Sequence, residues 1–315
     1  MARFILRRAV FSLIVLLLVS AAIFVLVHLV PGSPAIVLLG PDATTDQIRQ
    51  FEHQYGLDRP LAIQFFSWLQ NVVIHGNFGQ SLISRLSISS EVARSLPITL
   101  EIVFIAFVFC VTISVPLGVV SAIYENRLID HVARVFAVMG VSIPGFWLAL
   151  MLIVYGAVQF QLFPPGGFVP WSTGPLEHLR SLVLPAFALG VYYTAIISRM
   201  TRSGMIEALQ QDYIRTARAM GLSRKRILFY ALKNALIPVV SVCAMSFGYM
   251  FGWSIIIEQV FNIAGLSRLL LSAIFQRDYY VVQAVVVVLT AIFILANFVA
   301  DILFGLLNPK VRALS

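Results

Sequence analysis

The chain has 315 residues, of which 60% are hydrophobic and only 11% charged, with a formal net charge of +8. Soluble globular domains are about half apolar and about a quarter charged, so this composition excludes a soluble fold and specifies a polytopic membrane protein. The positive charge does not call for nucleic acid, because the basic residues fall mostly in short segments between apolar runs, where they orient membrane helices.

Six runs approach the roughly 20 apolar residues a helix needs to cross a bilayer: roughly 9–30, 98–123, 133–158, 182–199, 236–257 and 281–305. The first follows "MARFILRR", and "VSA" at Val19 to Ala21 imitates a signal cleavage site. The apolar run continues to Val30, past the about 7–15 residues of a signal peptide's apolar region, and reads as a retained span. Residues 31–96 are the sizeable external region. "VPGSPA" (Val30 to Ala35) breaks the first helix, since proline cannot continue one. A short helix follows in "TTDQIRQFEHQYG", with Thr45 as N-cap and Gly56 as its stop. "PLAIQFFSWLQNVVIHGNFG" predicts an amphipathic helix with Phe65, Trp68, Leu69 and Val72 on one face, suited to the membrane interface. The remaining residues, 97–315, form a five-span core, in which a second external loop, "FPPGGFVPWSTGP", is turn-rich.

Arg3, Arg7 and Arg8 predict a cytoplasmic N-terminus, and six spans return the C-terminus to the same side. On that topology 15 basic residues lie inside and seven outside, four of the seven within 31–96. Cys110 and Cys243 sit inside apolar runs, and no CxxC is present.

No GxxxxGK[ST] phosphate loop occurs, and the three lysines, Lys225, Lys233 and Lys310, do not follow glycine. HExxH and GxSxG are absent, and the five histidines (28, 53, 75, 131 and 178) are scattered as interfacial or turn residues. Neither an enzyme nor a metal or cofactor site is predicted. Charges inside spans mark ion pathways, yet the runs are nearly free of charge, and their acids, Glu101 and Asp301, lie near run ends. A transporter of this kind draws its energy from another chain.

The densest charge is in "DYIRTARAMGLSRKRILFYALKNALIP", Asp212 to Pro238, with six basic residues and one acid, in a loop spanning about 200–235. Asp212 suits a helix start. Tyr213, Ala217 and Met220 fall on one side of "YIRTARAM" and Arg215 and Arg218 on another. Gly221 fits the left-handed position that ends a helix, and Ser223 is a natural N-cap for the next. On these grounds two readings stand: a rigid protrusion that docks a partner, or a positive anchor for topology, above all at Arg224, Lys225 and Arg226.

This stretch resembles the EAA loop of ABC importer permeases, in the wording of the dipeptide/oligopeptide family. Similar wording recurs in order as "HLVPGSPA" (28–35), "YGLDRPLAIQFFSWL" (55–69), "LPITLEI" (96–102), "EQVFNIAGLSRLL" (258–270), "RDYYVVQAVV" (277–286) and "NPKVR" (308–312). The chain is most similar to the B-type subunit, with its long external region after the first span. The resemblance implies an all-α fold of six transmembrane helices of the type I importer kind, in the bacterial inner membrane. It implies that Asp212, Tyr213, Arg215, Thr216, Ala217, Arg218, Gly221 and Ser223 belong to a loop whose helix sits in a groove of an ATPase subunit. It implies a second, unlike permease, two ATPases that carry ATP and Mg, and an external substrate-binding protein; this chain itself binds no cofactor. The family wording departs at Arg215 and Thr216, where Glu and Ala begin the general motif, and at Ser33 and Asn77, where family members usually have Asp. Ser and Asn keep side-chain turns.

Similar wording also serves glutathione and nickel-chelate importers, so these substrates stand beside peptides. A secondary ion-coupled carrier and a non-transporting scaffold or insertase are readings of other classes. Candidate path residues are the polar and aromatic groups of two spans: Tyr192, Tyr193, Thr194 and Ser198, and Ser246, Tyr249, Trp253 and Ser254. Helix packing accounts equally for the serines and threonines. Pro116, Gly118, Pro144 and Gly145 predict bends in the second and third spans.

Overall fold

A computed structural model describes residues 2–29, 39–40 and 42–307. The turn at Ser33 and the wording at 308–312 lie outside the described residues. The elements are helices α1 (Ala2–Leu29), α2 (Thr45–Tyr55), α3 (Leu61–His75), α4 (Ile88–Ile123), α5 (Leu128–Ser142), α6 (Gly145–Leu152), α7 (Pro175–Gln210), α8 (Asp212–Ala219), α9 (Arg224–Val260), α10 (Leu266–Gln276) and α11 (Tyr279–Leu307). Among the described residues the only β pairing is one isolated bridge, Gln80–Ser87. The all-α membrane fold expected from the sequence is the fold observed.

Among the described residues five helices are long and apolar enough to cross a membrane, and a bent pair makes six if it counts as one span. The bend is the third predicted span. α5 and α6 meet at 99°, and α6 runs on into a π-helical turn, Ile153–Gln159. The cause is local: Pro144 has no N–H to donate, and it drives Ile143 into extended backbone (φ −78°, ψ 122°). The bend predicted at Pro116 and Gly118 is not a break, because α4 runs through both. Gly118 instead lets α4 touch α7: a Cβ there would lie 2.5 Å from the Ser198 carbonyl oxygen and 2.6 Å from Thr201 Cβ.

α4, α7 and α9 have 36, 36 and 37 residues. At about 1.5 Å per residue each is about 54 Å long, against a hydrocarbon core of about 30 Å. Each is therefore longer than the bilayer core needs, and the predicted spans are only parts of them: the middle of α7 and the C-terminal portions of α4 and α9.

The described residues form two compact units. One comprises 2–10, 98–264 and 292–307. Here α5, α6 and α9 all pack on α7. Polar bonds tie its helix ends: Thr99 Oγ1 donates to Glu258 Oε1 at 2.6 Å, and Glu258 is fully buried. Glu101 accepts from Trp171 Nε1 at 2.9 Å and contacts His178 Nε2 at 2.8 Å. His178 is buried in α7 and stacked on Trp171, so it is not a turn residue as read from sequence. Arg8 pairs with Asp301 at 3.0 Å.

The other unit comprises 11–97 and 265–291. The α2 cap is Thr44, one residue before the predicted Thr45. Its hydroxyl accepts from Gln47 N–H at 3.3 Å and its own N–H donates to Gln47 Oε1 at 2.9 Å, a capping box. Gly56 closes the helix in the left-handed region, as predicted. In α3, Phe65, Trp68, Leu69 and Val72 are the half-buried face, and Phe65 meets Phe24 of α1 edge-on at 5.4 Å. Asn77 Oδ1 accepts from Gly79 N–H at 2.9 Å, keeping the turn without an acid. Ser81 Oγ donates to buried Asp278 at 2.5 Å.

Candidate coupling loop and translocation path

α7 ends at Gln210, and Gln211 turns the chain through extended backbone into α8. Asp212 stands in the first turn, where the helix dipole favours an anion, and pairs with Arg215 at 3.3 Å on the exposed surface. The end of α8 is a complete Schellman motif. Gly221 N–H donates to Arg218 C=O at 3.0 Å, and Leu222 N–H to Ala217 C=O at 3.1 Å. Gly221 has φ +76°, the left-handed conformation read from the sequence. Ser223 then occupies the N-cap position of α9 in extended backbone, without a side-chain capping bond.

An apolar cluster fixes this turn to the rest of its unit. Ile214 is fully buried in α8 and packs with Ala122 of α4, Met205 and Ala208 of α7, and Ile227, Ala231 and Ala235 of α9, with Ala217 and Leu222 at its edge. The inward face is thus Ile214 and Ala217. Tyr213 and Met220, which the helical wheel grouped with Ala217, are 39% and 73% exposed. Tyr213, Arg215, Thr216, Arg218 and Met220 present an outward face. Arg224, Lys225 and Arg226 are exposed beyond the turn and take no part in the cluster. An eight-residue helix is marginal alone, so its outward face is held in shape by the cluster beneath it.

The predicted path residues divide. Tyr192, Tyr193 and Trp253 line a cavity of about 120 Å³ together with Ile143, Pro144 and Gly145 at the break in the third span. The Tyr192 ring lies 5.2 Å from Tyr193 and 6.3 Å from Trp253. Tyr249 and Trp253 share a second, open recess with Gly248, Gly252 and Ile256. The serines and the threonine do not join them. Thr194 and Ser198 donate to helix carbonyls of Gly190 and Ala195, Ser254 donates to Phe251, and Ser246 is buried. Ser198 lines a different cavity, with Arg199 and Arg202. The third-span break is what sequence reading could have added to the path, since Pro144 and Gly145 were already marked as breakers.

Residues 114–313 match the family described as binding-protein-dependent transport system inner membrane component, and residues 1–103 match the N-terminal membrane component of the same systems. The chain belongs to this family of ABC importer permeases. It is 37% identical over 313 residues to a chain of Brucella abortus (strain 2308) that carries the name of a peptide transport system permease protein, covering 99% of each. It is 36% identical over 313 residues to the glutathione transport system permease protein GsiC of Salmonella typhi, again covering 99% of each. Among solved structures, the inward-facing MetNI methionine ABC transporter gives a TM-score of 0.56 at 21% identity, over 69% of this chain and 96% of that one; this likeness is one of fold. The permease is a multi-pass membrane protein, and as a member of a transport family it is a transport subunit.

Proposed function

We propose that this permease is one of two unlike membrane subunits of an ATP-driven importer of peptides, and that α8 is the element through which ATPase subunits drive it. The observation that carries the reading is the seating of Ile214 among the ends of α4, α7 and α9, with Tyr213, Thr216 and Met220 facing outward. A helix so held transmits the motion of whatever docks on it. An external binding protein delivers the substrate, and two ATPases bind ATP and Mg. Their closure moves α8 and shifts the spans between inward- and outward-facing states. Tyr192, Tyr193, Tyr249 and Trp253 face the substrate's path. The α8 loop and both termini lie on the cytoplasmic side in this reading, which the distribution of basic residues supports. The names of the relatives support peptides first and glutathione second, and a nickel chelate is a third substrate that this architecture accommodates.

Reconstitution tests this reading. The chain alone in vesicles shows neither ATP hydrolysis nor uptake driven by a proton gradient. With its second permease, ATPases and binding protein it takes up labelled dipeptide when ATP is present. Proton-driven uptake by the single chain replaces the reading with a secondary carrier. Uptake of glutathione in preference to dipeptide moves the substrate, not the mechanism.

A further inference from the structure

A second cavity is larger than the one lined by Tyr192, Tyr193 and Trp253. A space of about 450 Å³ lies between the C-terminal part of α4, α5 and α7. α5 is held to α7 at two places along this seam. At one, Asp130 receives Arg202 Nε at 2.7 Å and a terminal nitrogen of the same guanidinium at 2.8 Å. At the other, Gly140 sits against Ala195 and Val191. One end of the cavity is basic, with Arg134, Arg199 and Arg202. Asp130 offsets Arg202, with Arg134 at 3.6 Å from the same carboxylate. Arg199 is exposed, and no acid is among the lining residues. Away from the arginines the lining is mostly apolar, with Ser142 at its end, and Val138 is 65% exposed. From Ala133 to Ser142 this wall is about 14 Å long at about 1.5 Å per residue.

We propose that this cavity is a binding site for an anionic phospholipid. Arg134 and Arg199 hold the phosphodiester, and an acyl chain lies along the apolar wall of α5. Cationic pockets between membrane helices take acidic headgroups, and here the cation pair and the apolar slot are continuous and open toward the surface at Val138. A free phosphate would use the arginines and leave the slot without a purpose. The Arg199 end lies on α7 toward Gln210, where α8 begins, so the lipid belongs to the leaflet on the α8 side.

The test is lipid retention by the purified full-length chain, followed by native mass spectrometry after exchange into phosphatidylglycerol, phosphatidylcholine or millimolar inorganic phosphate. Wild type retains phosphatidylglycerol over phosphatidylcholine. Arg134→Gln with Arg199→Gln lowers that retention about 30-fold, twice the about 1 kcal/mol that each basic side chain contributes near an anionic surface. Val138→Trp fills the slot and lowers it with every charge in place. Lys225→Gln with Arg226→Gln, an equal loss of charge outside the cavity, leaves it unchanged. The proposal is overturned if the Arg134/Arg199 variant retains the lipid as wild type does, or if the Lys225/Arg226 control loses it equally. It is also overturned if inorganic phosphate displaces the lipid while Val138→Trp has no effect, which makes the site one for a soluble anion.

Discussion

Leu222 N–H donates to the carbonyl of Ala217, and both side chains press into the cluster that holds Ile214. The bond exists because Gly221 between them takes φ +76°. A Cβ at Gly221 would meet nothing within 4 Å, so substitution there acts on backbone conformation alone. Gly221→Val costs about 1–2 kcal/mol locally, because a β-branched residue resists this region, and it misdirects α8. At equal abundance in the membrane the variant loses transport, either by shedding its ATPases or by leaving their hydrolysis unlinked to uptake. Gly221→Asn, which tolerates the left-handed region, retains most transport. Arg224→Gln with Lys225→Gln is milder than Gly221→Val, since neither side chain joins the cluster. Normal uptake by Gly221→Val beside failure of the charge variant makes the loop an electrostatic anchor.

The Asp130–Arg202 pair predicts a non-additive result. Asp130 is fully buried and also accepts from Ser121 Oγ at 2.6 Å and Asn126 N–H at 2.9 Å. Asp130→Leu leaves Arg202 without its partner and costs about 3–5 kcal/mol. Asp130→Leu with Arg202→Met removes both charges and recovers most of that loss. Thermal unfolding of the purified chain measures both, and equal melting of the single and double variants refutes the coupling.

The apolar helices and the helix–turn–helix around Gly221 are legible because their signals are local: apolar length, Pro144 as a breaker, and the Gly221–Ser223 punctuation. The inward face of α8 is not. Its wheel offers Tyr213, Ala217 and Met220 as readily as Ile214 and Ala217, and the choice is made by Ala122, Met205 and Ile227, which come from three other helices. The buried acids were missed for the same reason. Glu258 stands one residue past the fifth apolar run, and its partner, Thr99, is 159 positions away.

Tyr193 separates substrate contact from packing. Its hydroxyl is buried with no hydrogen-bond partner among the described residues. Removing an unsatisfied buried polar group is neutral or stabilising to a fold, so Tyr193→Phe melts no lower than wild type. If the hydroxyl meets a passing peptide, uptake falls severalfold in the same variant. Unchanged uptake with unchanged melting takes Tyr193 out of the path.

Topology is open to direct labelling. Ser84 and Ser223 are both exposed. In a version with Cys110 and Cys243 replaced, a cysteine at Ser84 reacts with an impermeant reagent in intact cells and one at Ser223 reacts only after permeabilisation. The reverse pattern inverts the orientation and removes α8 from the reach of any cytoplasmic ATPase.

The cluster around Ile214 joins the ends of α4, α7 and α9 through their side chains, not through consecutive chain. A force applied to α8 is therefore shared among three beams at once, as through a ferrule, instead of passing to its two sequence neighbours alone. The span that opens the path need not be one that flanks the loop. If α8 is the docking helix proposed above, loosening the ferrule at any beam, Ala122 included, weakens the drive to all three.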